Sequence, residues 1–206
     1  YARIGTDAIA AININATIEE LMFVLFIGLG NACSVMVGNK IGERDKETAF
    51  EYSRRFIIVT VAFSALGGAL VFFSRGLIAG LYQVSDSARF DLMNIMTVYA
   101  FSSWLRAYNF MLFIGAFRAG GDTRYAMFTE LFSIWLIGVP AALIGGFILH
   151  LPVYDVYALV LLEELVKAIV ITRRYLSRKW IHDLVNVTAD STPLLSAVEP
   201  DSASQP

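Results

Sequence analysis

Glu19, Glu20, Arg106, Glu130, Glu163 and Glu164 stand inside long apolar runs, and Lys167 lies one turn beyond the last pair. Charges kept in such surroundings face a protein interior or an aqueous cavity, where they bind protons or cations or hold one another in ion pairs. In the first run, Asn13, Glu20, Asn31 and Ser34 fall along one stripe of a helix, while Asn15 and Glu19 form an i,i+4 pair beside it. The two glutamates therefore look to adjoining sectors and make a polar wall, which leaves two readings: one of them is merely solvated near the outer headgroups, or at least one binds a proton or cation within a cavity. Arg106 precedes Arg118 by 12 residues, about 18 Å at ~1.5 Å per residue, which is too deep for its side chain to reach water. It requires a carboxylate from another helix, and Glu163 or Glu164 is the expected partner. Glu130 and Lys167 stand nearer helix ends, where partial hydration is also open to them.

The elements that must position these residues are membrane-spanning helices. Of the 206 residues, 57% are hydrophobic and only 17% charged, against roughly 25% charged in soluble proteins. A bilayer core needs about 20 apolar residues of helix, and five stretches supply them: about 8–38, 56–73, 92–117, 125–149 and 153–172. The fold class is an all-α polytopic membrane protein. Five, two and four Lys or Arg residues fall in Asn39–Arg55, Arg118–Arg124 and Arg173–Lys179, against Arg75 and Arg89 in the alternate loops. By the positive-inside rule the first group is cytoplasmic, as is the C-terminus. Residues 1–186 form the membrane lobe. Residues 187–206, rich in Ser, Pro and Asp and without an aromatic, form a disordered tail, in which the sequon at Asn186 is a chance match. The chain begins at Tyr1 without a leader and reads as a piece of a longer protein.

Several function classes drop out. Sixteen basic against eighteen acidic residues leave no excess for nucleic acid. One cysteine, Cys33, with only His150 and His182 beside it makes no Cys/His metal cluster. Gly28 and Gly30 imitate the start of a dinucleotide fingerprint with no strand before them, and no P-loop lysine follows Gly120–Gly121. Close helix packing through Gly28, Ala32, Ser34 and Gly38 explains the small residues better. Nothing supports an enzyme or a resident cofactor.

Five strings carry a resemblance: IGTDAIAA (from Ile4), IEELMFVLFIGLGNACSVMVGNKIGERD (from Ile18), RAYNFMLFIGAFRAGGDTR (from Arg106), WLIGVPAALIGGFILHLPVYDVYALVLLEELVK (from Trp135) and SRKWIHDL (from Ser177). Together they resemble the multidrug and toxic compound extrusion (MATE) family. The resemblance implies the C-terminal lobe of a twelve-helix, two-lobed transporter, with Tyr1–Gly5 the end of a preceding helix and the N-terminal lobe as partner. It implies secondary active efflux of drug-like, often cationic compounds from the plasma membrane, with H⁺ or Na⁺ as coupling ion and alternating access between the lobes. Some members place an acid where this chain has Arg106, Tyr108 and Asn109, so their coupling site does not carry over. Glu19, in the family-like I-E-x-L string, becomes the first candidate for cation coupling, then Glu20, then Glu130. Asn15, Trp104, Tyr108 and Asn109 are candidates for the substrate cavity. A lipid-linked oligosaccharide flippase of the same architecture, or a membrane scaffold that transports nothing, are the alternative readings. The first would need several basic residues in its cavity, and the second gives no reason to keep carboxylates in three helices.

Overall fold

The computed structural model describes residues 6–182, and every regular element among them is helical. The helices join end to end into five rods. α1 (Thr6–Gly42) and α2 (Lys46–Leu81) are unbroken. α3 (Asp86–Phe110) runs on through a π-helical segment, Met111–Phe117, and a last α-turn, Arg118–Gly120. α4 (Thr123–Ser133) continues through π-helical Ile134–Gly138, α-helical Val139–Leu143 and π-helical Ile144–Ile148. The fifth rod consists of α5 (Val153–Val160) and α6 (Leu162–Leu176), joined at Leu161. Tyr1–Gly5 and the tail 187–206 lie outside the described residues.

The rods outrun the apolar stretches that announce them. The polar connection expected over Asn39–Arg55 contracts to Glu43–Asp45, and the loop expected between the second and third apolar stretches, with Arg75 and Arg89, contracts to Tyr82–Ser85. An apolar run measures lipid depth, whereas a helix continues until its hydrogen-bond ladder is capped. Asp45 supplies one cap, accepting from the Thr48 amide at 3.0 Å, and the hydrogen bonds from Thr48 hold its carboxyl below the usual carboxylate range. Ser85 supplies the next, accepting from Ala88 N at 3.1 Å. Three helices among the described residues are long and apolar enough to cross a membrane: Thr6–Gly42, Lys46–Leu81 and Thr123–Ile148. The third and fifth rods, which carry Arg106 and the Glu163, Glu164 and Lys167 group, are not among them.

Polarity is inverted relative to a soluble bundle. Along α2, Ile58, Phe63, Leu66, Leu70, Phe73 and Leu77 point outward, while Ser53, Thr60 and Ser64 are buried. Hydrocarbon gives helices no hydrophobic reason to associate, so close approach and interhelical hydrogen bonds must do it. The approach does not use the small residues expected for it. A side chain on Gly28 or Gly38 would meet open space, because both lie off the buried stripe of α1. Contact falls instead on Gly30, whose added Cβ would lie 3.1 Å from Phe110, on Gly68, 2.5 Å from the Ala100 carbonyl, and on Gly115, 2.9 Å from Cys33 Sγ.

Two buried clusters bracket the middle of the molecule. One gathers Ala8, Leu92, Ile95 and Val153; the other gathers Cys33, Val37, Phe117 and Trp180. Along α1 they take Ala8–Ile18 and Cys33–Ile41, leaving Glu19 and its neighbours between them. In the fourth rod, Pro140 has no amide hydrogen and its ring crowds the carbonyl one turn back. The ladder widens just before it, Val139 N reaching Ile134 O across five residues.

The segment after α6 ties the second cluster shut. Trp180 is fully buried, stacks on Tyr175 at 5.7 Å, and donates Nε1–H to the Tyr175 carbonyl at 3.1 Å. Tyr175 in turn shares a 2.8 Å hydrogen bond with Ser53. Arg174 reaches Asp122 at 2.8 Å, and His182 N donates to Gly120 O at 3.0 Å. The string RAGGDTR thus meets Trp180 and His182 of the segment after α6 in one contact. Gly121, at φ 81°, turns the chain out of the helix, and Gly120 leaves room for Trp180, whose carbonyl oxygen an added Cβ would meet at 2.3 Å. Gly120→Ala should therefore destabilise the protein by about 1–3 kcal/mol through overpacking. Gly76→Ala, with nothing within 4 Å of the new carbon, should cost nothing and gain a few tenths from helix propensity. Thermal unfolding of both variants in detergent checks this; equal melting temperatures would show that the Trp180 contact yields freely.

Candidate functional site

Between the first, third, fourth and fifth rods lies a cavity of about 670 Å³. The first rod contributes Glu19, Glu20 and Phe23; the third contributes Arg106, Asn109, Phe110 and Phe113. The fourth contributes Met127 and Glu130, and the fifth Glu164 and Lys167. On the third rod the cavity residues recur at i, i+3, i+4 and i+7, the spacing of one helical face.

At one side of the cavity Arg106 Nη1 meets Glu19 Oε2 at 2.5 Å. The other oxygen of Glu19 accepts from Tyr157 Oη at 2.5 Å and from Asn15 Nδ2 at 2.6 Å. Glu19 thus receives donors from three rods, and the Asn15–Glu19 pairing on α1 is geometrically formed. The ion-pair assignment needs correction: Arg106 is held by Glu19 of the first rod and not by Glu163 or Glu164 of the fifth. The reason lies in the fifth rod itself, where Lys167 already satisfies both carboxylates. Lys167 Nζ lies 3.2 Å from Glu164, 3.5 Å from Glu163 and 3.0 Å from Glu130. A lysine three and four residues after two glutamates falls on the same helix face and reaches them first. Lys167 is almost wholly buried, at 3% exposure, whereas Glu130 is 42% exposed. Glu163 lies against Gly138, where an added Cβ would come within 2.1 Å of its Oε2 and oblige the carboxylate to move.

The remaining candidates divide. Glu20 is exposed, lines the cavity and has no ion-pair partner among the described residues. Asn109 is buried, with its amide nitrogen 2.6 Å from Glu164 Oε2. The oxygens of Asn15 and Asn109 are buried without a donor. Trp104 and Tyr108 do not line the cavity. They face outward with Leu165 and Ile169, and Tyr108 Oη bonds Thr172 Oγ1 at 2.6 Å. Each is two residues from Arg106, hence ~200° around the helix from it. Sequence reasoning passed over Tyr157, whose hydroxyl sits in a family-like string but beside no charge, and it placed Lys167 without seeing it at the centre of a carboxylate group.

Four carboxylates and three cations (Arg106, Arg118, Lys167) line the cavity, which leaves it weakly acid; Glu20 and Arg118, both exposed, have no ion-pair partner among the described residues. Five aromatic rings, Phe23, Phe26, Tyr99, Phe110 and Phe113, stand in the uncharged part of the wall. Phe23 and Phe110 meet edge to face at 4.5 Å between centroids. The arrangement can hold a proton or small cation at a carboxylate while apolar rings receive a flat organic body.

Residues 1–144 match the family model described as MatE. The chain belongs to the MatE family. It is similar to a probable multidrug resistance protein NorM of Photorhabdus laumondii, with 30% identity over 150 residues, covering 73% of this chain and 32% of that protein. Protein DETOXIFICATION 22 of Arabidopsis thaliana is 28% identical over 185 residues, covering 87% of this chain and 35% of its own. An uncharacterized transporter, YisQ of Bacillus subtilis, is 27% identical over 164 residues, covering 78% and 35%. The chain thus spans about a third of the length of the curated relatives it matches. No solved structure matches it. MatE membership together with the long apolar helices makes this a multi-pass membrane protein, and MatE transporters are not enzymes.

The pairing has a thermodynamic consequence. Arg106→Ala leaves Glu19 without its cation, at a cost toward the lower end of about 3–5 kcal/mol because the pair borders a cavity. Adding Glu19→Gln should restore most of that loss, while adding Glu164→Gln should not. A double-mutant cycle of thermal stability distinguishes the two partners; rescue by Glu164→Gln would return Arg106 to the fifth rod.

Proposed function

We propose that the chain is part of a secondary active multidrug efflux transporter, in which five helices of this lobe cross the plasma membrane. Organic, drug-like compounds, often cationic, leave the cell in exchange for inward H⁺ or Na⁺, with an N-terminal lobe supplying the other half of the pathway. The observation that carries this reading is the Glu19–Arg106 pair, set into an aromatic-walled cavity of a MatE family protein. A static bridge would need no cavity beside it. Here the coupling cation and Arg106 compete for one carboxylate: a proton on Glu19 ends its charge and releases Arg106, and loss of the proton restores the pair. Coupling follows if the inward- and outward-facing arrangements differ in that pairing, each ligand biasing the equilibrium by no more than its differential affinity for the two. Glu20 and the aromatic rings then meet the substrate. The flippase alternative loses support because Arg106 and Lys167 are both engaged by carboxylates, which leaves Arg118 as the one unpaired cation of the cavity wall among the described residues, and a pyrophosphate needs several.

Glu19→Gln imitates the protonated state permanently. In energised vesicles carrying the full-length transporter, this variant should bind drug yet lose the response of efflux to a pH gradient, by tenfold or more, and Glu19→Asp should retain part of it. Full pH-driven efflux by the Gln variant at matched expression would pass the role to Glu20 or Glu130.

The excess of Lys and Arg at one end of the rods supports an orientation with that end, and the C-terminus, in the cytoplasm. A cysteine at Ser87 should react with an impermeant maleimide in intact cells, and one at Thr48 should react only after permeabilisation. The reverse pattern overturns the orientation.

A further inference from the structure

On the face turned away from the cavity, α3 and α6 leave an open apolar groove of about 480 Å³. Trp104 and Leu105 flank it from one rod, Leu165, Ala168 and Ile169 from the other. Two hydroxyls in the groove, those of Tyr108 and Thr172, are bonded to each other, so neither calls for an outside partner. Leu165, Ile169 and Arg173 follow at intervals of four and fall on one stripe of α6. The eight helical steps from Leu165 to Arg173 span about 12 Å at ~1.5 Å each, and an arginine side chain extends further toward the aqueous phase. Trough and side chain together match one leaflet, half of a hydrocarbon core of about 30 Å.

The end of the stripe carries the charge. Arg173 is exposed and has no carboxylate partner among the described residues, whereas its neighbours Arg174 and Arg178 engage Asp122 and Glu47. No carboxylate lines the groove, so a headgroup ammonium would gain no attraction there. A phosphate would meet a planar guanidinium able to bond it bidentately. We propose that this groove is a binding site for an anionic phospholipid of the leaflet at the basic end, its acyl chain in the trough and its phosphate on Arg173. The inference rests on the membrane location of the chain and is independent of the efflux reading.

The test places p-benzoylphenylalanine at Ile169 of the full-length transporter, reconstituted in vesicles of equal phosphatidylglycerol and phosphatidylcholine. After irradiation, mass spectrometry identifies the lipid on the adduct. The expected result is a phosphatidylglycerol adduct several-fold over phosphatidylcholine, levelled by Arg173→Gln and largely kept by Arg173→Lys. Equal labelling from the start, a preference that survives Arg173→Gln, or cross-linking to polypeptide in place of lipid would each overturn the proposal. The last of these would show that another part of the transporter covers the groove.

Discussion

A guanidinium held about 18 Å along a helix from the nearest basic end has to find a carboxylate inside the protein, and much of this structure follows from that requirement. Arg106 fixes α1 against α3 through Glu19, and Tyr157 brings the fifth rod to the same carboxylate. The pair occupies the interval on α1 between the two buried clusters, where apolar packing would otherwise close the bundle. Polar groups therefore keep open the space that a transporter needs. Glu19 is fully engaged in this arrangement, so a cation can reach it only by displacing something, and the proposed coupling role rests on that competition.

The Lys167 group sits on the far side of the cavity and works differently. Three carboxylates share one buried ammonium, and the glycine at 138 in a π-helical segment admits Glu163 against backbone. Widened turns at Ile134–Gly138 and Ile144–Ile148 flank the short α-helical stretch that contains Pro140, so the fourth rod is the least regular wall of the cavity. Irregular backbone is tolerated at membrane depth where protein or a cavity receives it. The clasp of Trp180 over Gly120 and the Arg174–Asp122 bridge hold the end of the fifth rod to the turn between the third and fourth.

How far the sequence reached can be judged residue by residue. Apolar length marked the first, second and fourth rods, which alone among the described residues meet the minimum that hydrocarbon sets, and the strings around RAGGDTR and GVP pointed to the family that residues 1–144 match. The rod ends were misplaced because Asp45 and Ser85 cap helices well outside the apolar runs. The exclusion of Trp104 and Tyr108 from the cavity was legible in principle, since both lie ~200° from Arg106 on one helix. So was the reach of Lys167 to Glu163 and Glu164, which depends on spacing alone.

What the sequence by itself determined were properties that are local or additive: helical class, membrane character, the i,i+4 contact of Asn15 with Glu19, and the need of Arg106 for an acid. What only the tertiary structure decided was which acid answers, which glycines are crowded, and that Tyr157 and Asn109 join the two polar groups. Those outcomes depend on the rotation and crossing of five rods, and a one-residue change in either turns a side chain by ~100°. Periodicity along one helix shows which residues share its face; it carries no information on which face of another helix comes to meet it.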